Sequence, residues 1–317
     1  MSEERIRLGV STCLLGERVR YDGGHKRSRF LTDVLANYVE FVPVCPEVEC
    51  GFPIPRESFR LFGDPESPRF ITSRTKEDYT DRMKAWAQKR VVELEQEDLC
   101  GFVLKSDSPS SGMQRIRVYN EKGGVVRTGV GMFARELLAH FPLLPIEEDG
   151  RLNDDGIREN FIERIFAYNR WRDLLATSKS RGGLVDFHTK HKMLILSHSR
   201  KHSDEMGRLV AHAKELKPSE LYRQYEALLL AALKVRATVR KHCDVLQHIL
   251  GYFKKNLTPD EKQEVLEVID QYRRELVPLI VPITLLNHFV RKYDQPYLRE
   301  QYYLHPHPAE LKLRNHV

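Results

Sequence analysis

The chain has 317 residues, 41% hydrophobic and 30% charged, a composition that can bury two globular cores. No run approaches the ~18 uninterrupted apolar residues of a bilayer span, and five cysteines in a chain this long argue against a secreted disulfide scaffold. The net charge of +6 is unevenly placed, because residues 1–150 carry 22 Lys+Arg against 24 Asp+Glu and residues 151–317 carry 29 against 21.

The start, Met1-Ser2-Glu3-Glu4-Arg5, is acidic and leads into a strand, unlike a secretory signal, so the expected compartment is the cytoplasm. Three apolar runs follow, each stopping on chemistry-bearing residues. Leu8-Gly9-Val10-Ser11-Thr12 ends on Cys13, and Val39 to Val44 ends on Cys45 in Pro43-Val44-Cys45-Pro46-Glu47-Val48-Glu49-Cys50. Gly101-Phe102-Val103-Leu104 ends on Lys105-Ser106-Asp107-Ser108-Pro109-Ser110-Ser111-Gly112. As neighbouring parallel strands their carboxyl ends share one edge, where open α/β sheets place their sites.

Between the second and third runs lies a proline- and glycine-rich loop, from Pro53 to Pro68, and then a helix over about Lys76 to Glu97. Its apolar residues Tyr79, Met83, Trp86, Ala87, Val91 and Leu94 recur at helical spacing and complete a strand–helix–strand crossover. Ile116 to Tyr119 with the Gly123-Gly124 turn reads as a further short strand or hairpin, and Gly129-Val130-Gly131 opens a helix over Met132 to His140. Pro142, Pro145 and Glu147-Glu148-Asp149-Gly150 break the pattern. The expected domains are therefore 1–150, an α/β domain with an open, mostly parallel sheet, and 151–317, an all-α domain.

The second half reads as helices over Asn160–Ala176, about Val185–Leu216 and Pro218 to about Phe253, with a basic loop at Ser178 to Gly183. Thr258-Pro259-Asp260-Glu261 is a helix start with a capping-box glutamate, and a last helical region follows Pro278 and Pro282. This half interleaves aromatics and cations, with Tyr168, Arg170, Trp171 and Arg172 ahead of Lys179, Arg181, Lys190, Lys192, Arg200 and Lys201. Cations spread over a face meet phosphates, and aromatics stack on unpaired bases, so these residues are the candidate nucleic-acid contacts. A solvated basic helix surface is the alternative. His188 and His191 read as surface histidines, because no nearby thiol or carboxylate completes a ligand set.

Each thiol has two readings. Cys13 and Cys45 are either small buried hydrophobes or thiolates balanced by a metal. The five-residue gap from Cys45 to Cys50 is wider than a zinc knuckle, and an iron–sulfur cluster on three cysteines suits the set better. Glu47, two residues past Cys45, is a candidate general acid or base, or a surface glutamate. Lys105, Ser106 and Ser111 form a cradle for substrate; no histidine or GxSxG turn supports an acyl-serine mechanism.

Ser11-Thr12-Cys13-Leu14-Leu15-Gly16, Arg20-Tyr21-Asp22-Gly23, Pro43-Val44-Cys45-Pro46-Glu47 and the Lys105–Gly112 loop together resemble the thiouracil desulfidase (TudS-like) family. Arg158-Glu159-Asn160-Phe161 and Leu313-Arg314-Asn315-His316-Val317 resemble the YbgA-type helical domain. Fusions of the two are similar to bacterial enzymes that remove sulfur from 4-thiouridine in tRNA. The resemblance implies a 4Fe-4S cluster on three cysteines, whose free iron takes the thiocarbonyl sulfur while water attacks the carbon and hydrosulfide leaves. Residue by residue it makes Cys13 and Cys45 cluster ligands, Glu47 the proton-transfer carboxylate and Ser108 a substrate-side serine. The family's third thiol, in a SPSCG loop, is Ser111 here, so Cys50 is expected to supply the third ligand. Two alternatives remain: desulfuration of a free thiouracil-type base, and a cluster-free nucleic-acid-binding or interaction protein. The oligomeric state is not legible, and no membrane partner is expected.

Overall fold

A computed structural model describes residues 6–316, so the acidic start Met1–Arg5 and the terminal Val317 lie outside the described residues. The chain divides into two compact units, one ending at Asp154 and the other beginning at Asp155.

The first unit opens with β1 (Ile6–Ser11) and β2 (Val39–Val44), followed directly by the short helix α1 (Pro46–Glu49). Next come β3 (Phe59–Phe62), β4 (Arg69–Thr72), α2 (Thr80–Glu93), β5 (Gly101–Leu104), β6 (Ile116–Tyr119), β7 (Val125–Gly129), α3 (Met132–His140) and β8 (Ile146–Glu148). One sheet has the order β2-β1-β5-β8 and is parallel throughout. The burial of β5 on both faces, with all four of its residues buried, matches its central, apolar sequence. Val42, Val44, Phe102 and Leu104 pack against Ala87 and Val91 of α2 and Phe133 and Leu137 of α3.

The loop read as structureless between Pro53 and Pro68 contains β3 and leads into β4. These two strands join the β6–β7 hairpin as a second, mixed sheet of order β4-β3-β6-β7. Strands of four residues flanked by prolines leave too short an alternation to see in the sequence. Leu61, Phe70 and Val118 of this sheet form their own core with Phe52 and Met83.

The second unit comprises α4 (Asp155–Thr177), α5 (Arg181–His198), α6 (Arg200–Ala211), α7 (Pro218–Lys234), α8 (Val239–Leu250), α9 (Pro259–Arg273), α10 (Ile280–Lys292) and α11 (Pro296–Arg299). Its core gathers Trp171, Tyr225, Leu246, Phe253 and Leu286. Two long helices expected from periodicity are each broken. Ser199 is extended at φ −157° and accepts a hydrogen bond from the His202 amide, ending α5 and starting α6. Thr238 does the same for α8 with the Lys241 amide. An N-cap can interrupt a helix without disturbing the three- and four-residue apolar spacing, so periodicity alone runs through it. The Thr258–Glu261 capping box forms as expected. Among the described residues no helix is long and apolar enough to cross a membrane.

Candidate active site

Because β2, β1 and β5 lie side by side and parallel, their carboxyl ends open on one edge. Cys13 follows β1 in the 3-10 turn Thr12–Leu15, and Cys45 follows β2 as the N-cap of α1. Both line a cavity of about 220 Å³, together with Glu47, Arg56, Lys105, Ser106, Ser108 and Ser111. Residues from three strand ends, some 90 positions apart in the chain, thus face one space.

Glu47 is the hub. Its Oε1 accepts a hydrogen bond from the Ser110 hydroxyl at 2.6 Å, and its Oε2 lies 3.8 Å from the Cys45 Sγ. Arg56, whose side chain is 6% exposed, approaches the same Oε2 at 3.8 Å through Nη2 while its Nη1 donates to the Val19 and Pro53 carbonyls. Ser110 is fully buried, and its Oγ lies 2.9 Å from the Ser108 Oγ. Since the Ser110 proton goes to Glu47, the Ser108 hydroxyl donates to Ser110, and the amides of Ser110 and Ser111 donate to the Ser108 Oγ. The result is a proton chain from the cavity wall to the carboxylate.

The expected substrate residues Lys105 and Ser106 line the cavity but are already engaged. The Lys105 ammonium donates to Asp149 at 3.1 Å and to the Ser106 hydroxyl at 2.9 Å. Ser106 donates to Asp149 at 2.8 Å through both its amide and its hydroxyl. Asp149, just past β8, fixes this corner.

Burial, then the Glu47 carboxylate, push the Cys13 thiol up to about 11 against the pull of Lys105 and Arg20. The same two causes push Cys45 up to about 12. Both thiols are therefore protonated in the metal-free fold, and a metal group held by them would have to displace those protons on binding.

Cys50 departs from expectation. It lies in the core with Phe52, Leu61, Phe70 and Met83, and its Sγ faces the Arg82 carbonyl at 3.7 Å. It is not part of the cavity wall. One helical turn past Cys45, α1 carries the Cys50 side chain toward the small-sheet core, behind the wall. The third strand end instead offers Ser111, 3% exposed and lining the cavity. Among the described residues no three His, Cys, Asp or Glu side chains converge as a metal site. At the three strand ends the cavity is therefore lined by two thiol residues, Cys13 and Cys45, and one hydroxyl residue, Ser111.

Arg56, Ser110 and Asp149 were missed in the sequence. Asp149 was read only as part of the Glu147–Gly150 break that ends the α/β pattern, and the other two are recognisable only once the loops are folded together.

The expected nucleic-acid contacts divide. Arg170 is half-buried and engaged: its Nε donates to the His191 Nε2 at 3.0 Å, its Nη1 donates to the Pro306 carbonyl, and its guanidinium lies over the Tyr302 ring. Arg181 is exposed but bridges the Ala213 and Leu216 carbonyls past α6. Lys190 is paired with Asp186 and Glu300, Lys201 with Glu205, and Lys179 lies over Tyr222. Arg172 is half-buried, whereas Lys192 and Arg200 are exposed. His188 and His191 are buried at 8% and 1% exposure, not surface histidines, because α5 turns that face into the helical core. Charge in the sequence does not say which cations are consumed inside a unit.

Residues 8–149 match the family described as 2-thiouracil desulfurase, and residues 192–308 match one described as a protein of unknown function, DUF1722. The uncharacterized protein YbgA of Escherichia coli (strain K12) is 31% identical over 165 residues, 52% of this chain and 98% of that protein. The uncharacterized protein YbbK of Bacillus subtilis (strain 168) is 31% identical over 108 residues, 32% of this chain and 71% of that protein. A solved structure of a 4Fe-4S-dependent thiouracil desulfidase, TudS, is 29% identical, covers 47% of this chain and 95% of that one, and has a TM-score of 0.39.

Proposed function

The chain belongs to the 2-thiouracil desulfurase family and carries a YbgA-like DUF1722 domain behind it, and on that premise we propose that it is a 4Fe-4S-dependent desulfidase converting 4-thiouridine in tRNA to uridine. The observation that carries the reading is the convergence of Cys13, Cys45 and the proton-relaying Glu47 on one cavity wall.

Cys13 and Cys45 would hold the group, with the Ser111 hydroxyl at the third strand end. An iron without a protein ligand supplies a soft Lewis acid for a thiocarbonyl sulfur. The protein's part is proton and charge management. Water forms the new C–O bond, the C–S bond breaks, and sulfur leaves with the electron pair as hydrosulfide, without net redox change. Glu47 takes the water proton at Oε2, the oxygen not occupied by Ser110. Ser110 and Ser108 hold the carboxylate in place and relay protons along their hydroxyls. Lys105, locked by Asp149, keeps positive charge where the hydrosulfide develops.

The excess of 29 Lys+Arg over 21 Asp+Glu in residues 151–317 supports an RNA partner for the helical unit. The test is anaerobic reconstitution, then incubation with tRNA carrying 4-thiouridine, with sulfide and iron measured. Iron-loaded protein that releases no sulfide would overturn the enzyme reading. Equal turnover of the free nucleoside and of tRNA would favour a free thionucleobase substrate, and persistent absence of iron would favour the cluster-free binding protein.

A further inference from the structure

Gly207 lies inside α6 with no packing reason to be glycine. A Cβ there would meet nothing within 4 Å, although glycine is the least favourable ordinary residue in a helix interior. What it borders is a groove of about 830 Å³ between α5 and α6, with Tyr297 of α11 also on its wall.

The groove is chemically specific. His188 stands at its floor, 8% exposed, with its Nδ1 3.1 Å from the Tyr225 hydroxyl, so Nε2 is left to the groove. Lys192 and Arg208 line it and are both exposed, and neither makes an ion pair among the described residues. Arg208 uses Nε on the Asp204 carbonyl at 3.3 Å, leaving its outer nitrogens unengaged. The Asp204 carboxylate lines the groove as well, against this positive charge. Burial and then Lys192 hold His188 down to about 4; burial, Lys192 and Arg200 lower His248 in the same way. On the Tyr297 side, the Tyr252 and Tyr297 rings stack at 5.3 Å, with Tyr252 38% exposed. A neutral imidazole, two unpaired cations and a stacked aromatic pair form the equipment for a phosphodiester with an unpaired base beside it.

We propose that this groove is the RNA-backbone site of the helical unit, with a phosphate between Lys192 and Arg208 and an adjoining base against Tyr297. It rests on the reading of tRNA as partner and goes beyond it by placing the contact.

The experiment uses the full chain and a fluorescently labelled tRNA transcript, with affinity measured by anisotropy across a salt series. Lys192→Gln combined with Arg208→Gln is expected to weaken binding about tenfold or more and to flatten the salt dependence by about 0.7 to 0.9 in log–log slope, the loss of one phosphate contact. Gly207→Trp keeps every charge and fills the groove, so a comparable loss there separates a built site from diffuse electrostatics. Circular dichroism, and desulfuration of the 4-thiouridine nucleoside at the wild-type rate, exclude misfolding. If wild-type protein binds tRNA and the variants bind equally well, the groove is wrong while the tRNA reading stands. If wild-type protein binds no tRNA, both fall. If poly-glutamate competes as well as tRNA, the groove's partner is an acidic protein and the RNA assignment is overturned.

Discussion

Glu47 couples the two jobs of the cavity, since its negative charge opposes ionisation of both thiols and it accepts the proton of Ser110. Glu47→Gln should lower turnover about 10²- to 10⁴-fold, the usual worth of a positioned general base, with iron content retained. In metal-free protein the same change should move alkylation of Cys13 and Cys45 to lower pH, because it removes a charge that opposes both thiolates. The sign for stability follows from the same shifts. Folded values of about 11 and 12 stand above the ordinary 9.0, so the metal-free fold keeps this contribution below pH 9 and loses it as pH rises through 11 to 12. A thermal-unfolding series over that window checks it. Ser111→Cys should make the bound iron harder to strip with a chelator, since a thiolate is the better iron ligand. Unchanged chelator kinetics would mean that position 111 does not face the group. Cys50→Ser should leave iron content unaltered, as its Sγ faces the Arg82 carbonyl.

The serine loop owes its shape to its attachment at the start of α3. The Met132 amide donates to the Pro109 carbonyl, and the Phe133 and Ala134 amides donate to the Ser110 carbonyl, which satisfies the helix's otherwise unpaired first N–H groups. Such close approach requires glycine at 131, where a Cβ would lie 2.5 Å from the Ser110 carbonyl oxygen. Gly131→Ala should therefore push Ser110 off Glu47, costing about 1–3 kcal/mol of stability and more activity than that loss explains. Chemical denaturation and turnover measured on the same preparation separate the two effects. In the helical unit the tail plays an equivalent part. Arg314, 4% exposed in its side chain, donates to Glu159 at 3.2 Å and to Glu163 at 2.6 Å, and His316 lies 3.0 Å from Glu159. The two motifs that flank this unit in sequence are thus two sides of one buried ion cluster.

Each unit has its own core, one built on a parallel sheet and its helices, the other on Trp171, Tyr225 and Phe253. Arg314→Met should accordingly destabilise the helical unit by about 3–5 kcal/mol, the cost of leaving buried carboxylates unpaired. Calorimetry should show a lowered unfolding temperature for the variant; an unmoved one would mean that the ion cluster does not hold the helical unit together. At this scale the sequence determined a great deal. Apolar runs ending on Cys13, Cys45 and Lys105 marked three strands whose shared edge follows from parallel pairing, and the Thr258 capping box marked a helix start from local chemistry alone. What only the tertiary structure decided depends on directions rather than on spacing. Cys50 lies five residues from Cys45 and still turns into another core, and Ser110 meets Glu47 only because α3 draws the loop down. Arg170 carries the same charge as Lys192 but spends it inside the unit, on His191 and Pro306. Periodicity and composition record which residues are apolar or charged, whereas the partner each one meets is settled by packing between segments far apart in the chain.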